Sequence, residues 1–250
     1  MWRIDTVELG RRTAESSLFL YLTDSGVALE IAYRAWVLRC EDECMLIDTG
    51  PPLAEAAQRG LHDVRPLGQS LARLGIDAEA ITTVLLTHLH WDHAANAASL
   101  PRATFYAQRS ELDFYRSSRR QHPAFDRFFS AHTDLLGLIE QQRIVGLLES
   151  QRFREGIEVF RVGGHTPGSQ MIEVATAQGR ALIAGDAIPL YRNYAENIPS
   201  GILSDLSECI AALDVVRCHD IAVLYPGHDV IPAWRVGNAA AGEAAAAPAS

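Results

Sequence analysis

The sequence predicts an α/β protein in which two β-sheets lie between layers of helices. Strands are predicted in two separate runs, one before residue 108 and one after residue 156, and segments with helical spacing are interleaved with them. With 250 residues, 48% of them hydrophobic, the chain can bury a sizeable core. We therefore expect a single domain over residues 1–237, followed by a disordered, alanine-rich tail over residues 238–250.

The first run of strands is built around a hairpin. Residues 3–9 alternate between apolar and polar side chains, and residues 33–50 (YRAWVLRCEDECMLIDTG) predict two strands joined at an acidic turn. Leucines at helical intervals predict a helix over residues 66–76. Further strands are predicted at residues 81–86 and 103–107, so this half of the chain can supply one complete sheet.

The second run of strands is separated from the first by residues 108–152, whose pattern is helical and rich in phenylalanine. We expect these residues to form a helical insert that covers the sheet. Strands return as IEVFRV, SQMIEVAT, RALIAGD and IAVLYPGHD. Before the last of these, LSDLSECIAALDVV has helical spacing, and Ser204 or Asp205 can cap that helix.

Composition and charge exclude several classes of protein. The net charge of −9 and the lack of a long basic run argue against binding to nucleic acid or to an anionic membrane surface. No apolar stretch approaches the ~20 residues of a membrane-spanning helix, and four scattered cysteines do not make a disulfide framework. We expect a cytoplasmic protein with a small-molecule substrate and no nucleic-acid or membrane partner, and we leave open a homodimer.

Metal-ligating side chains follow the ends of four predicted strands. The stretch TVLLTHLHWDH (residues 83–93) passes from an apolar strand directly into three histidines and an aspartate. Loops at the ends of strands in a rigid sheet are where proteins place binding and catalytic groups. The seven residues of this kind are His88, His90, Asp92, His93, His165, Asp186 and His228. A lone histidine beside a glycine is more often a loop or capping residue, but seven such residues together indicate a metal centre.

The stretch THLHWDH, with the later GGHTPGS, AGD and PGHD, closely resembles the dinuclear metallo-β-lactamase-fold hydrolases. The resemblance extends to about residue 232 and implies a four-layer αββα sandwich with two metals at one edge of the sheets. It implies that His88, His90 and His165 hold one metal, that Asp92, His93 and His228 hold the second, and that Asp186 bridges both.

The ligand types agree with these roles. Imidazole and carboxylate without thiolate suit Zn²⁺, and they also admit Mn²⁺, Fe²⁺ or Co²⁺. Seven ligands exceed the needs of one tetrahedral ion but suit two divalent ions roughly 3.5–4 Å apart, which can generate a bridging hydroxide at neutral pH. Asp92 is then placed to pass a proton to the leaving oxygen. Asp48, in LIDTG, either orients a ligand histidine or is a turn aspartate ahead of Pro51.

Two segments resemble the N-acyl-homoserine lactone lactonases within this family. They are residues 19–52, in which 19–36 are expected to form a long loop ahead of the LIDTG hairpin, and residues 186–199 (DAIPLYRNYAENIP). The resemblance implies a quorum-quenching type of enzyme in which the metal-bridging hydroxide attacks and opens a lactone ring. The chain departs from the subgroup at Pro189, where the lactonases have a tyrosine that helps to hold the carbonyl. Tyr191 and Tyr194 are the candidates to replace it.

Three questions stay open at this stage. The same site could serve another small-molecule hydrolase acting on an ester, a thioester or a cyclic amide, because one fold hosts many reactions. A metal-binding regulatory protein without catalysis is a further alternative. Finally, residues 19–36 either form a wall of the substrate pocket or are an ordinary edge connection. The aromatic side chains of Phe125, Phe128 and Phe129 likewise either form the pocket walls or only pack the predicted insert onto the core.

Overall fold

Two β-sheets stack face to face in the computed structural model, and helices cover the outer face of each. The structure describes residues 1–131, 133–236 and 243–244. The four-layer αββα arrangement predicted from the sequence is confirmed. The predicted disordered tail, residues 238–250, lies outside the described residues except for Glu243–Ala244, which form a short strand. No helix in the described ranges has the length and apolar character needed to span a membrane.

The first sheet has six strands in the order in which they occur along the chain. They are β1 (Arg3–Glu15), β2 (Ala28–Cys40), β3 (Glu43–Ile47), β4 (Thr83–Leu85), β5 (Thr104–Gln108) and β6 (Ile144–Leu147). The first three strands pair antiparallel, and β2 and β3 form the predicted hairpin. From β3 to β6 the pairs are parallel, so these strands end at the same edge of the sheet.

The second sheet has seven strands in the described residues, in the order β13-β12-β11-β10-β9-β8-β7. They are β7 (Gln151–Arg154), β8 (Ile157–Arg161), β9 (Gln170–Thr176), β10 (Gly179–Gly185), β11 (Val223–Pro226), β12 (Trp234–Arg235) and β13 (Glu243–Ala244). Of the strand pairs in this sheet only β10 and β11 are parallel, and the connection between them contains two helices, as a parallel crossover requires.

Eight α-helices lie in the described part of the chain. They are α1 (Leu53–Gln58), α2 (Leu67–Arg73), α3 (Trp91–Ala94), α4 (Arg109–Arg116), α5 (Pro123–Asp126), α6 (Leu135–Glu140), α7 (Tyr191–Glu196) and α8 (Leu206–Cys218). Short 3₁₀ turns occur at Ser16–Leu18, Ala78–Ala80, Ala95–Ser99 and Ser118–Gln121. Of the two predicted caps of α8, Asp205 is the one used, because its carboxylate accepts a hydrogen bond from the backbone N–H of Glu208 at 2.9 Å.

Apolar side chains from both sheets fill the space between them. Trp36 and Leu85 of the first sheet and Ile172 and Ile183 of the second belong to this layer, and all four are fully buried. Burial of one such side chain contributes about 1.5–3 kcal/mol to folding. Because successive residues of a strand point to opposite faces, Val37 lies on the other face of β2 and packs with the helices. This double burial makes the sheets a rigid support for the loops at their ends.

The predictions for two connecting segments are wrong in part. Residues 108–152 contain α4, α5 and α6, but they also contain β6, which pairs with β5 and forms the edge of the first sheet. The segment therefore completes the sheet, and its short run IVGL lacks the alternation that would have identified a strand. Of residues 19–36, the first half is a loop as predicted, but the second half belongs to β2. Since β1 continues to Glu15, it offers a partner along the whole of β2, which begins at Ala28.

Candidate metal centre

The seven predicted ligand residues come together at one edge of the two sheets. His88 and His90 sit immediately beyond β4, ahead of α3, and Asp92 and His93 are in the first turn of that helix. His165 lies between β8 and β9, Asp186 directly follows β10, and His228 follows β11. All seven residues are at least 93% buried. The strand ends thus deliver the side chains that the sequence pattern indicated.

The first group consists of His88, His90, His165 and Asp186, whose ligand atoms all lie within 4.8 Å of one another. The Nε2 atom of His165 is 3.0 Å from Nδ1 of His90 and 3.3 Å from Oδ2 of Asp186. The ring of His88 lies edge-on to that of His90, with centroids 4.5 Å apart. The imidazole nitrogens therefore converge on one point.

The second group consists of Asp92, His93 and His228, which also have ligand atoms within 4.8 Å of one another. Asp186 of the first group also faces the second group. Its Oδ1 atom is 3.2 Å from Nε2 of His93 and 3.1 Å from Nε2 of His228, while Oδ2 faces the first group. One carboxylate thus faces both groups, which is the arrangement that a bridging ligand requires.

The cluster contains buried polar atoms without hydrogen-bond partners. Among the described residues, Nε2 of His88, Nε2 of His93 and Oδ1 of Asp186 are buried and form no hydrogen bond. Buried polar groups in folded proteins nearly always have a partner, so three unpartnered ligand atoms in one cluster need an explanation. Bound divalent cations would explain them, because each of these atoms could then serve as a metal ligand. Imidazole with carboxylate is a donor set that suits such cations. The residues present fit a dinuclear metal site.

Contacts outside the cluster orient the ligand rings. The carboxylate of Asp48 accepts a hydrogen bond from Nδ1 of His93 at 2.8 Å, and further bonds from the N–H and hydroxyl of Thr87 at 2.7 and 2.8 Å. Nδ1 of His165 lies 2.7 Å from the carbonyl of Ile202. Such bonds fix the tautomer and leave Nε2 free to ligate. Of the two alternatives for Asp48, the orienting role is therefore the one that the contacts support.

The charges of the cluster are strongly coupled. Burial lowers the pKa of His88 and of His90 well below the usual histidine value, so both rings are neutral. Burial also acts to lower the pKa of His93, but the carboxylates of Asp186 and Asp92 outweigh it and raise that pKa well above the usual value. A cation held between these groups would take the place of that proton, because metal ligands must be deprotonated.

A buried carboxylate ties together the two loops that carry the first group. Glu111, on α4, accepts hydrogen bonds from the N–H of Leu89 at 3.0 Å and from the N–H of Gly168 at 2.9 Å. Leu89 lies between two ligand histidines, and Gly168 follows His165 by three residues. Burial raises the pKa of Glu111, while its hydrogen bonds act in the opposite direction. Glu111 thus fixes the spacing between the two loops.

The loop of His228 is held from β2. His228 donates from Nδ1 to the carbonyl of Ala32 at 3.0 Å, and the buried guanidinium of Arg34 donates to the carbonyls of Pro226 and Asp229 on either side. Burial lowers the pKa of Arg34 to about 10. The intervening Gly227 has no room for a side chain, because a Cβ atom there would lie 2.5 Å from Oδ1 of Asp186.

Two adjoining cavities open beside the cluster. The smaller, of about 150 Å³, is lined by Asp92, Asp186, His228 and Tyr33 and by three arginines; we call it the arginine cavity. The larger, of about 280 Å³, is mainly apolar and is lined by Phe125 among others; we call it the apolar cavity. Leu18, His90, Phe128 and Ile202 line both. The cluster therefore faces a space that is polar on one side and apolar on the other.

The structure does not bring the two predicted tyrosines to this space. Tyr191 stacks on Trp234 with ring centroids 4.2 Å apart, and Tyr194 packs beside it beneath the guanidinium of Arg217. Both belong to the layer under α8, and neither lines either cavity. Because α7 begins at Tyr191, the helix directs these rings onto the core.

The aromatic residues of 108–152 divide between the two roles considered. Phe125 and Phe128 line the apolar cavity, whereas Phe129 is 4% exposed and lies in the core layer under the first sheet. The walls also include a segment that the sequence did not single out, residues 201–204, which precede α8.

Tyr33 is the main residue of the site that the sequence analysis missed. Its ring lies 5.2 Å from that of His228 and 5.4 Å from that of Trp91, and it lines the arginine cavity. Burial, followed by the charge of Asp92, raises the pKa of its phenol, so the group remains a hydrogen-bond donor at neutral pH. In the sequence, Tyr33 is one of several apolar residues in a predicted strand, and no neighbouring residue marks it as part of a site.

We predict that Asp48→Asn weakens metal binding. The amide cannot stabilise the His93 ring as a carboxylate does, and changes to such supporting residues typically cost about 10- to 100-fold in metal affinity. The measurement is metal per folded chain during dialysis against a weak chelator, where the parent should retain about two equivalents. Asp214→Asn, an exposed change on α8, is the control with the same change in charge. Equal retention by the parent and both variants would contradict the role of Asp48.

Residues 32–228 match the metallo-beta-lactamase superfamily. An N-acyl homoserine lactonase from Bacillus sp is 24% identical over 241 residues, which cover 90% of this chain and 92% of that protein. An N-acyl homoserine lactonase from Bacillus thuringiensis is 22% identical over 222 residues, which cover 82% of this chain and 84% of that protein. The two relatives match along most of their own length.

Solved structures are similar in fold. An N-acyl homoserine lactone hydrolase with the product N-hexanoyl-L-homoserine at its catalytic metal centre has a TM-score of 0.75 at 19% identity, covering 91% of this chain and 93% of that one. A dizinc quorum-quenching lactonase has a TM-score of 0.74 at 17% identity, covering 96% and 92%. With residues 32–228 matched and a complete ligand cluster in place, this chain belongs to the metallo-beta-lactamase superfamily and is a hydrolase.

Proposed function

We propose that this hydrolase opens the ring of a lactone. Water is added across the ring ester: the carbonyl carbon gains the hydroxyl group, the bond to the ring oxygen breaks, and that oxygen takes up the proton to give a hydroxy acid. The observation that carries the proposal is the position of the ligand cluster at the floor of a cavity that also holds Asp92 and Tyr33 and continues into an apolar space. The lactonases named above support the choice of a cyclic ester.

We propose two Zn²⁺ ions as the cofactor, with Mn²⁺, Fe²⁺ and Co²⁺ as the alternatives that the ligand types admit. His88, His90 and His165 would hold one ion, Asp92, His93 and His228 the other, and Asp186 both. When bound, the ions polarise the substrate carbonyl and lower the pKa of coordinated water to ~7.

Asp92 is the residue proposed to move a proton. Its side chain is 9% exposed and lines the arginine cavity, with Oδ2 3.6 Å from Nε2 of His93 and 3.4 Å from Nε2 of His228. It therefore touches both the ligand cluster and the space for substrate. In this position it can deliver a proton to the ring oxygen as the ester bond breaks, and an alkoxide needs that proton to leave.

Tyr33 is proposed to take the place of the tyrosine that the lactonases carry where this chain has Pro189. Its hydroxyl forms no hydrogen bond with the described residues, and its ring lies on the cavity wall beside His228. A free phenol in that place can donate to the substrate carbonyl and to the negative charge that develops on it. Neither Tyr191 nor Tyr194 has such access.

The apolar cavity would hold the hydrocarbon part of the substrate. Phe125 and Phe128 contribute its aromatic surface, and Leu18 and Ile202 close the side toward the arginine cavity. A substrate with a ring ester at the ligand cluster and a short apolar group in this cavity would occupy both. The homodimer suggested from the sequence is a separate prediction, and the substrate site described here is built within one chain.

Another ester, a thioester or a cyclic amide is the alternative substrate class. An amine is a poorer leaving group than an alkoxide, and Asp92 is the one carboxylate of the arginine cavity that lies outside the space between the two ligand groups. Cyclic amides should therefore react more slowly than lactones of similar size. Rates across matched lactones, open esters, thioesters and lactams, with metal content measured on the same sample, test the proposal. A lactone slower than all the others would refute it.

We predict that Asp92→Asn lowers kcat for an alkyl lactone by about 10²–10⁴, because the amide cannot donate the proton. KM should change little once the variant carries the same metal content as the parent. The decisive comparison uses a 4-nitrophenyl ester, whose leaving group departs without a proton. On that ester, Asp92→Asn should lower kcat by a smaller factor than on the lactone. An equal decrease in kcat on both substrates would mean that Asp92 acts only as a metal ligand.

We predict that Tyr33→Phe lowers kcat on a good lactone by about 10²-fold, the usual cost of removing one donor to a developing oxyanion. Tyr191→Phe and Tyr194→Phe are the matched controls, because each removes one hydroxyl from a ring outside both cavities. Steady-state kinetics on the metal-loaded proteins give the answer. If one of the controls lost activity while Tyr33→Phe kept a normal kcat, the donor would be that control's tyrosine and not Tyr33.

A further inference from the structure

The arginine cavity takes its name from Arg12, Arg59 and Arg127, which line it together with Asp92, Asp186 and Tyr33. The two aspartates face the ligand cluster, where bound cations would offset their charge. Three guanidinium groups then remain on the wall of a cavity of about 150 Å³. In a chain with a net charge of −9, that concentration of positive charge is unexpected.

The three arginines differ in whether another residue of the protein offsets the charge of the guanidinium group. Arg59 donates to Oε1 of Glu55 from two nitrogens, at 3.1 and 2.8 Å, and its guanidinium lies 4.4 Å above the ring of Trp91. Its charge is therefore offset within the protein. In the part of the chain that the structure describes, neither Arg12 nor Arg127 forms an ion pair. These two cations are the ones left for a ligand.

The pairing of β1 with β2 places Arg12 beside the reaction site. Arg12 is opposite Ile31 and Gly10 is opposite Tyr33, so the side chains of Arg12 and Tyr33 lie on the same face as diagonal neighbours. The electrostatic contact agrees with this geometry, because burial and Asp92 raise the pKa of the Tyr33 phenol while Arg12 acts to lower it. A group held by Arg12 would therefore share one cavity with the group that contacts Tyr33.

We propose that the substrate carries a carboxylate, which Arg12 binds with help from Arg127 while the scissile ester lies at the ligand cluster. This inference rests on the proposed function and narrows it to a substrate class. A guanidinium is planar and presents two parallel N–H donors that match a carboxylate. Arg12 is half-buried, and such a pair is stronger there than on an open surface. The small volume restricts the anionic end to a compact ring with its carboxylate attached directly.

The test uses one lactone in two charge states. The pair is 5-oxotetrahydrofuran-2-carboxylate and its neutral carboxamide, assayed with the full-length, metal-loaded chain. The parent should show a kcat/KM at least about tenfold higher for the carboxylate, which corresponds to ~1.4 kcal/mol. Arg12→Gln should lower that ratio about tenfold, mainly through KM, and Arg127→Gln should lower it less. Arg102→Gln, a change at an exposed arginine outside both cavities, is the control and should preserve the ratio.

A second pair separates this inference from the lactone proposal. 4-Acetoxybenzoate and 4-acetoxybenzamide carry the same difference in charge on an open ester. A parent that hydrolyses only the open esters, and prefers the benzoate in an Arg12-dependent manner, would refute the lactone proposal and support the carboxylate site. Turnover of the neutral lactone as fast as the anionic one, or a preference that persists in Arg12→Gln, would refute the carboxylate site and leave the lactone proposal standing.

Binding provides a readout that does not depend on turnover. Titration calorimetry with glutarate and with butyrate compares two carboxylates with one on a similar chain. Glutarate should bind the parent more tightly, and Arg12→Gln should remove that difference. Raising the ionic strength should weaken glutarate binding only modestly, since a partly buried ion pair is screened less than an exposed one. Equal affinity of glutarate and butyrate for the parent would overturn the proposal.

Discussion

The site depends on one carboxylate, that of Asp186, lying between two groups of histidines. The imidazoles of His228 and His93 hold its pKa well below the usual range despite full burial, which would otherwise raise it. That balance requires the ends of β4, β10 and β11 to converge within a few ångströms, and the layer between the sheets keeps them there. Gly227, Glu111 and the Arg34 contacts serve the same end, because each prevents one ligand loop from moving away.

The ligand cluster could be predicted from the sequence because its signal is local. An apolar run of strand type ends, and an imidazole or a carboxylate follows within a few residues at each of four places. The two sheets were predictable for a similar reason, since strands buried on both faces read as continuous apolar runs. β6 failed this rule because its run of four residues includes a glycine and an exposed valine.

The residues that would select the substrate were not predictable, because they depend on register. Tyr33 lies beside Arg12 only through the pairing of β1 with β2, which shifts by one residue at an irregularity between Glu8 and Gly10. No pattern in the sequence predicts such a shift in strand register. A shift of one residue moves every later side chain of the strand to the other face of the sheet. Tyr191 and Tyr194 are the converse case. Both are close in sequence to Asp186, but α7 begins at Tyr191 and directs their rings onto the core.

The proposed metal ligands and the proposed contacts to the rest of the substrate thus lie on different parts of the fold. The ligands belong to loops beyond β4, β8, β10 and β11, whereas Arg12 and Tyr33 belong to the β1–β2 ribbon at the edge of the first sheet. The net charge of −9 repels anions only weakly beyond the screening length of ~8 Å at physiological salt, so it does not prevent an anion from reaching the cavity. Inside, the nearest charges dominate. A preference for a carboxylate would then arise from contact with Arg12 and from slow release, and long-range attraction would contribute little.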